Sequence, residues 1–141
     1  MFKPYHPDKT DWTREGDLKL VEIPNFCDLA MTSNDPYNRD RDQWPLFRTE
    51  GAEALMGKVR SFLDYVEARH TRPVLCFYLH PWEFHAMPAG MLDYGEAEVH
   101  PKSFITLNCG DVAVREMDRL LHALKQAGGV FKTAGALSDE Y

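Results

Sequence analysis

Apolar positions fall into a few short runs separated by polar, turn-rich stretches. The sharpest run is Val74-Leu75-Cys76-Phe77-Tyr78-Leu79, which ends at His80 and Pro81. Residues this uniformly branched, aromatic or apolar predict a strand covered on both faces, and Pro81, with no backbone N–H, stops its pairing. His80 is therefore expected at a strand end, where α/β folds commonly hold catalytic side chains. Upstream, Leu18 to Ile23 predicts a short strand stopped by Pro24, and Met1 to Gly16, with Pro4, Pro7 and scattered charges, predicts a loop or leader. Asn25 to Arg48 is rich in turn formers and predicts an extended surface loop with aromatic anchors at Tyr37, Trp44 and Phe47.

Two segments carry the helical period. Thr49 is placed to cap a helix with Leu55, Met56, Val59, Phe62, Leu63 and Val66 on one buried face, ending before Thr71-Arg72-Pro73. A second helix is expected from Asp111 to Ala127, with Val114, Met117, Leu120, Leu121 and Leu124 inward and Gly128-Gly129 as its stop. Val130 to Thr133 then predicts a last short strand. Helix, strand, loop, helix, strand is the order that generates a parallel sheet with right-handed crossovers, so the expected class is α/β, with residues 1–141 as a single domain.

Composition narrows the functions. With 141 residues, 44% of them hydrophobic and 12% aromatic, the chain can fill a core. A net charge of −6 opposes binding to phosphate backbones or anionic lipid, so neither nucleic acid nor a membrane surface is expected as a partner. No run reaches the roughly 20 apolar residues of a membrane helix, and Met1 to Pro7 lacks an apolar signal core, which predicts a cytoplasmic protein. Cys27, Cys76 and Cys109 are an odd set without a C-x-x-C pair, so neither a disulfide framework nor a zinc knuckle is expected, and all three are read as unreactive.

His80, Glu83, His85 and His100 bracket one loop and make a possible set of metal ligands. Their spacing matches neither H-E-x-x-H nor H-x-x-E-H, so a metal held by this loop alone is the weaker alternative. His80 as a general acid or base is better supported, since imidazole titrates near neutral pH and a strand end holds it rigidly; capping of the strand is the competing structural role. Trp82 and Phe84 suit stacking on a sugar or covering a barrel rim, and Glu83 suits orienting a histidine or remaining solvated. The chain has no G-x-S-x-G elbow, G-x-G-x-x-G or P-loop.

Leu79-His80-Pro81-Trp82-Glu83-Phe84 resembles the late histidine motif of the polysaccharide deacetylases, carbohydrate esterases that act on N-acetylated sugars. Pro4-Tyr5-His6-Pro7, Gly16-Asp17-Leu18 and Val21-Glu22-Ile23-Pro24 resemble the segment around that family's Arg-x-Pro-Tyr motif. Leu120-Leu121 through Gly128, Val130 to Ala134 and Ala136 to Tyr141 resemble its final helix, strand and turn. The resemblance implies a partial, distorted β/α barrel and hydrolysis of the N-acetyl amide of an amino sugar, with an amino-sugar polymer or oligosaccharide as partner. It implies His80 as proton donor, with Trp82, Glu83 and Tyr5 as sugar contacts, and a divalent metal, zinc or similar, in the complete domain.

The family's Asp-Asp strand end and H-x-x-x-H metal motif have no counterpart here, and Phe2-Lys3 stands where its Arg would. The chain therefore reads as a C-terminal portion lacking the barrel's N-terminal strands, with the proton donor but not the metal site. Its open sheet edge is expected to be covered by another copy or by the missing N-terminal half. Two other readings stand beside this one: a non-catalytic carbohydrate-binding module using Trp82, Trp44 and Tyr94, and a metalloprotein using His80, Glu83, His85 and His100.

Overall fold

The helical period is realised as a pair of long helices packed on each other. In the computed structural model, which describes residues 2–29, 31–34, 36, 46–88 and 90–141, α1 spans Leu46–Thr49 and α2 spans Ala52–Glu67. A 3-10 turn covers Pro81–Phe84, and a two-stranded ribbon pairs β1, Leu92–Asp93, with β2, Glu98–Val99. Three helices follow: α3, Ser103–Thr106; α4, Asp111–Gln126; and α5, Ala134–Ser138. The expected anchors Tyr37 and Trp44 lie outside the described residues.

Helices α1, α2 and α4 enclose the core. Leu55, Met56, Val59, Phe62 and Val66 of α2 are buried against Phe47, Ala113, Leu120 and Leu124. Phe26 closes one end, edge-on to Phe62 at 5.5 Å and tilted against Phe77 at 5.4 Å. The inward face of α4 differs from the expected one: Val114 and Leu121 are exposed, and Ala113 is buried instead. Met117, Leu120 and Leu124 face the core as expected, and the face is narrower than the expected one. Ala113, Met117, Leu120 and Leu124 follow the same i, i+4, i+7 rule, and a small residue at 113 suits the close approach of α1 and α2.

The start of α2 also departs from the expectation. Thr49 ends α1 and does not cap α2; the residue before Ala52 is Gly51, held at φ 94°. A carboxylate from another helix supplies the cap, with the Ala52 N–H donating to Glu116 Oε2 at 2.8 Å. A negative group at a helix N-terminus satisfies an open donor and complements the dipole.

The segments expected as strands are extended but carry no ladder among the described residues. Residues 74–80 run without strand pairing, tied by one bond from the Phe26 N–H to the Cys76 carbonyl at 2.8 Å. Leu18 to Ile23 contributes a single bridge, Glu22 with Tyr5, and residues 130–133 are extended and unpaired. The ribbon at 92–99 was not foreseen; its acidic, glycine-containing turn lacks the usual two-residue hairpin signature. None of the helices of the described residues is long and apolar enough to cross a membrane.

Candidate functional site

His80 leaves the extended segment and becomes the residue before the 3-10 turn. Pro81 at the first turn position has its φ pre-set and loses no needed donor. Glu83, at the third, reaches back to accept the His80 backbone N–H at 2.9 Å, half of a capping box. The same Oε1 lies 3.3 Å from His80 Nδ1. A carboxylate only accepts, so Nδ1 carries a proton whether or not the ring is charged, and Nε2 faces the Tyr78 hydroxyl, 2.5 Å away.

Behind this histidine sits a buried ion pair. Arg48 Nε donates to Glu83 Oε2 at 2.6 Å, and both side chains are 0% exposed. The rest of the guanidinium serves the end of α3: Nη1 donates to the carbonyls of Phe104 at 2.9 Å and Leu107 at 2.5 Å, and Nη2 to that of Ile105 at 2.9 Å. These are carbonyls that a short helix leaves open at its C-terminus. The Asn108 amide donates to the Arg48 carbonyl at 2.8 Å, and the Gly110 N–H to the Glu83 carbonyl at 2.8 Å. Gly110 stands at φ 79° with space for a Cβ only 3.0 Å from the Ala86 nitrogen, so this junction requires glycine.

Aromatic rings flank the imidazole. Tyr78 meets it edge-on at 4.6 Å, and Trp82 lies at 5.2 Å, tilted by 31°. The Arg48 guanidinium lies 5.5 Å from the centroid of the Trp82 ring, which adds a cation–π contact to the packing. The His80 side chain remains 27% exposed, so the ring is held firmly from behind yet reachable from solvent.

The expected site residues are therefore distributed unevenly. His80, Trp82 and Glu83 come together. Glu83 was expected to touch sugar, but its carboxylate is buried and engaged on both oxygens, so it acts through His80 and not on a bound molecule. Tyr5 belongs to another neighbourhood: it is buried, its hydroxyl donates to the Trp12 carbonyl at 2.7 Å, and its backbone bridges Glu22. His85 and His100 are exposed, and among the described residues no three His, Cys, Asp or Glu side chains are grouped to hold a metal ion. Tyr94 is exposed on the ribbon.

Arg48 and Tyr78 were missed as members of the site. No local signal marks Arg48, because its burial and its partner Glu83 are set by the tertiary fold. Burial pushes the Cys109 thiol up, with Arg48 opposing and Glu83 adding to the shift, which suits an unreactive cysteine. Comparison with protein-family models, with curated proteins and with solved structures found no match.

Proposed function

We propose that the His80 group is the proton-donor half of a site that removes the acetyl group from an N-acetylated amino sugar. The support is the likeness of Leu79 to Phe84 to the late histidine motif of polysaccharide deacetylases, within a chain read as part of a distorted β/α barrel. The observation that carries the reading is the buried Arg48–Glu83 pair behind an accessible imidazole. Burying two charges is costly, and an ion pair is weak as a source of stability. Its effect here is positional: Glu83 cannot swing away from Nδ1 while Arg48 holds its other oxygen.

An imidazole held through Nδ1 binds and releases protons at Nε2. After water has added its oxygen to the acetamide carbonyl, the carbon–nitrogen bond breaks to release acetate, and an imidazolium that has exchanged the Tyr78 hydroxyl for the sugar passes its Nε2 proton to the amine nitrogen and returns to a neutral ring still held through Nδ1 by Glu83. Trp82 and Tyr78 offer ring faces to an apolar sugar surface. The residues present do not fit the divalent ion of the complete family domain, since Glu83 has both oxygens engaged and the described histidines are not gathered. This chain's part is binding and proton transfer.

Two measurements test the reading. Tryptophan fluorescence is expected to change saturably with N-acetyl chitooligosaccharide and to lose that change in Trp82→Ala; no response in the unaltered chain would contradict it. Acetate release from the same sugar, with zinc or cobalt added, is expected to remain at background. Robust turnover would show that the site is not a half-site. The row of rings formed by Tyr78, His80 and Trp82 also favours a second reading, a non-catalytic carbohydrate-binding module. That module would keep its full sugar affinity in His80→Ala.

A further inference from the structure

Three side chains line up across the His80 ring in an order that proton donation uses only in part. The Glu83 carboxylate lies 3.3 Å from Nδ1, and the Tyr78 hydroxyl lies 2.5 Å from Nε2. Arg48 fixes Glu83 from behind at 2.6 Å, so the acid end of the row is fully buried, whereas Tyr78 is 41% exposed and opens the other end to solvent. Carboxylate, imidazole and hydroxyl in hydrogen-bonded sequence are the parts of a nucleophile activated by a base that a third group orients. Because Nδ1 carries a proton, a neutral ring presents its lone pair at Nε2, and the Tyr78 hydroxyl donates to it. The local sequence builds this row. Residues 78 and 80 of an extended segment point the same way, and the 3-10 turn begun by Pro81 brings Glu83 back to Nδ1.

We propose that Tyr78 is a nucleophile that takes an acyl group from an activated ester, with His80 as its general base. As the phenolic oxygen bonds to the acyl carbon, its proton passes to Nε2 and the carbonyl electron pair moves onto oxygen. The carbonyl re-forms as the bond to the leaving group breaks. The leaving group departs with the Nε2 proton, and an acyl ester on Tyr78 and a neutral ring remain. Water then adds to that ester and gives its proton to Nε2; the bond to the phenolic oxygen breaks, Nε2 returns the proton to Tyr78, and a carboxylic acid is released. The phenolic oxygen sets the substrate class. A tetrahedral intermediate expels its less basic group, so the donor is an ester of a phenol or a thiol and not of a simple alcohol. The inference goes beyond the sugar reading, and neither rests on the other: this reaction uses no sugar contact, and sugar binding involves no acyl transfer.

The test is rapid-mixing release of p-nitrophenol from p-nitrophenyl acetate by the full chain, with acid quench and peptide mass spectrometry to place the acetyl group. Far-ultraviolet circular dichroism confirms folding of each variant. The unaltered chain is expected to release a burst of nitrophenol and to carry acetyl on Tyr78. Tyr94 is the internal control: at 68% exposed it is the more accessible tyrosine, so reaction governed by access alone would label it first. Tyr78→Phe, which keeps the ring, is expected to abolish the burst, and His80→Gln to slow acetylation of Tyr78 about a hundredfold. No acetyl on Tyr78, or labelling of Tyr94 as fast as Tyr78, would overturn the proposal. So would a burst that survives Tyr78→Phe, which would make the imidazole itself the nucleophile, or acetylation of Tyr78 indifferent to His80→Gln.

Discussion

Arg48 shows how one side chain organises a site it does not enter. Its guanidinium joins Glu83, the end of α3 and the Trp82 ring, so removing either charge of the pair strands the other in the interior. Glu83→Leu or Arg48→Met alone is expected to cost about 3–5 kcal/mol in urea unfolding, whereas the double replacement costs far less. Additive losses in that double-mutant cycle would show that the pair is not coupled. A second residue-scale effect belongs to His6, whose Nδ1 lies 2.9 Å from the Leu18 carbonyl and whose Nε2 lies 3.0 Å from the Tyr141 backbone oxygen. A neutral ring donates from only one nitrogen, so these carbonyls, Tyr141 foremost and then Leu20 and Leu18, hold its pKa above the usual 6.5. The associated stability is fully present below pH 6.5 and lost as pH rises through the higher folded value. Unfolding midpoints measured from pH 5.5 to 8.5 are expected to fall across that window in the unaltered chain, and His6→Ala to flatten the fall; parallel curves would refute the assignment. His80 was legible because a proline punctuates an apolar run. Arg48 was not, because its partner lies 35 residues away and nothing local marks the pairing.

At the scale of elements, the two long helices were legible because apolar spacing is a local property, and their edges were not. Glu116 caps α2 from another helix, a tertiary contact that no window around Thr49 contains. Glu116→Ala is expected to lower stability by about 1 kcal/mol, read from thermal unfolding, through loss of the cap and its charge at the helix dipole. Leu120→Ala, at a side chain 1% exposed, is expected to cost about 2–5 kcal/mol. Val114→Ala, on the outward face of α4, is expected to change little; an equal loss at both positions would restore the inward face first read from the sequence. Strands were the hardest elements to place. Their stability depends on neighbours, and the apolar runs at 74–79 and 130–133 specify extended backbone without naming what pairs with it.

The whole molecule is a helical core with extended apolar segments at its side and an oriented histidine at the end of one of them. The core between α1, α2 and α4 explains the fold's stability. The central claim concerns His80: a ring fixed by Glu83 and Arg48 and open to solvent, proposed above to meet an amino sugar. The most direct test is the nuclear magnetic resonance spectrum of the histidine side chains, with long-range proton–nitrogen correlations, recorded while N-acetyl chitooligosaccharide is added. The account predicts a His80 ring whose Nδ1 keeps its proton and a saturable shift of its Nε2 signal, while the signals of His6 and His122 stay still. A His80 ring that exchanges freely between tautomers, or one whose nitrogen signals ignore the sugar, would contradict it.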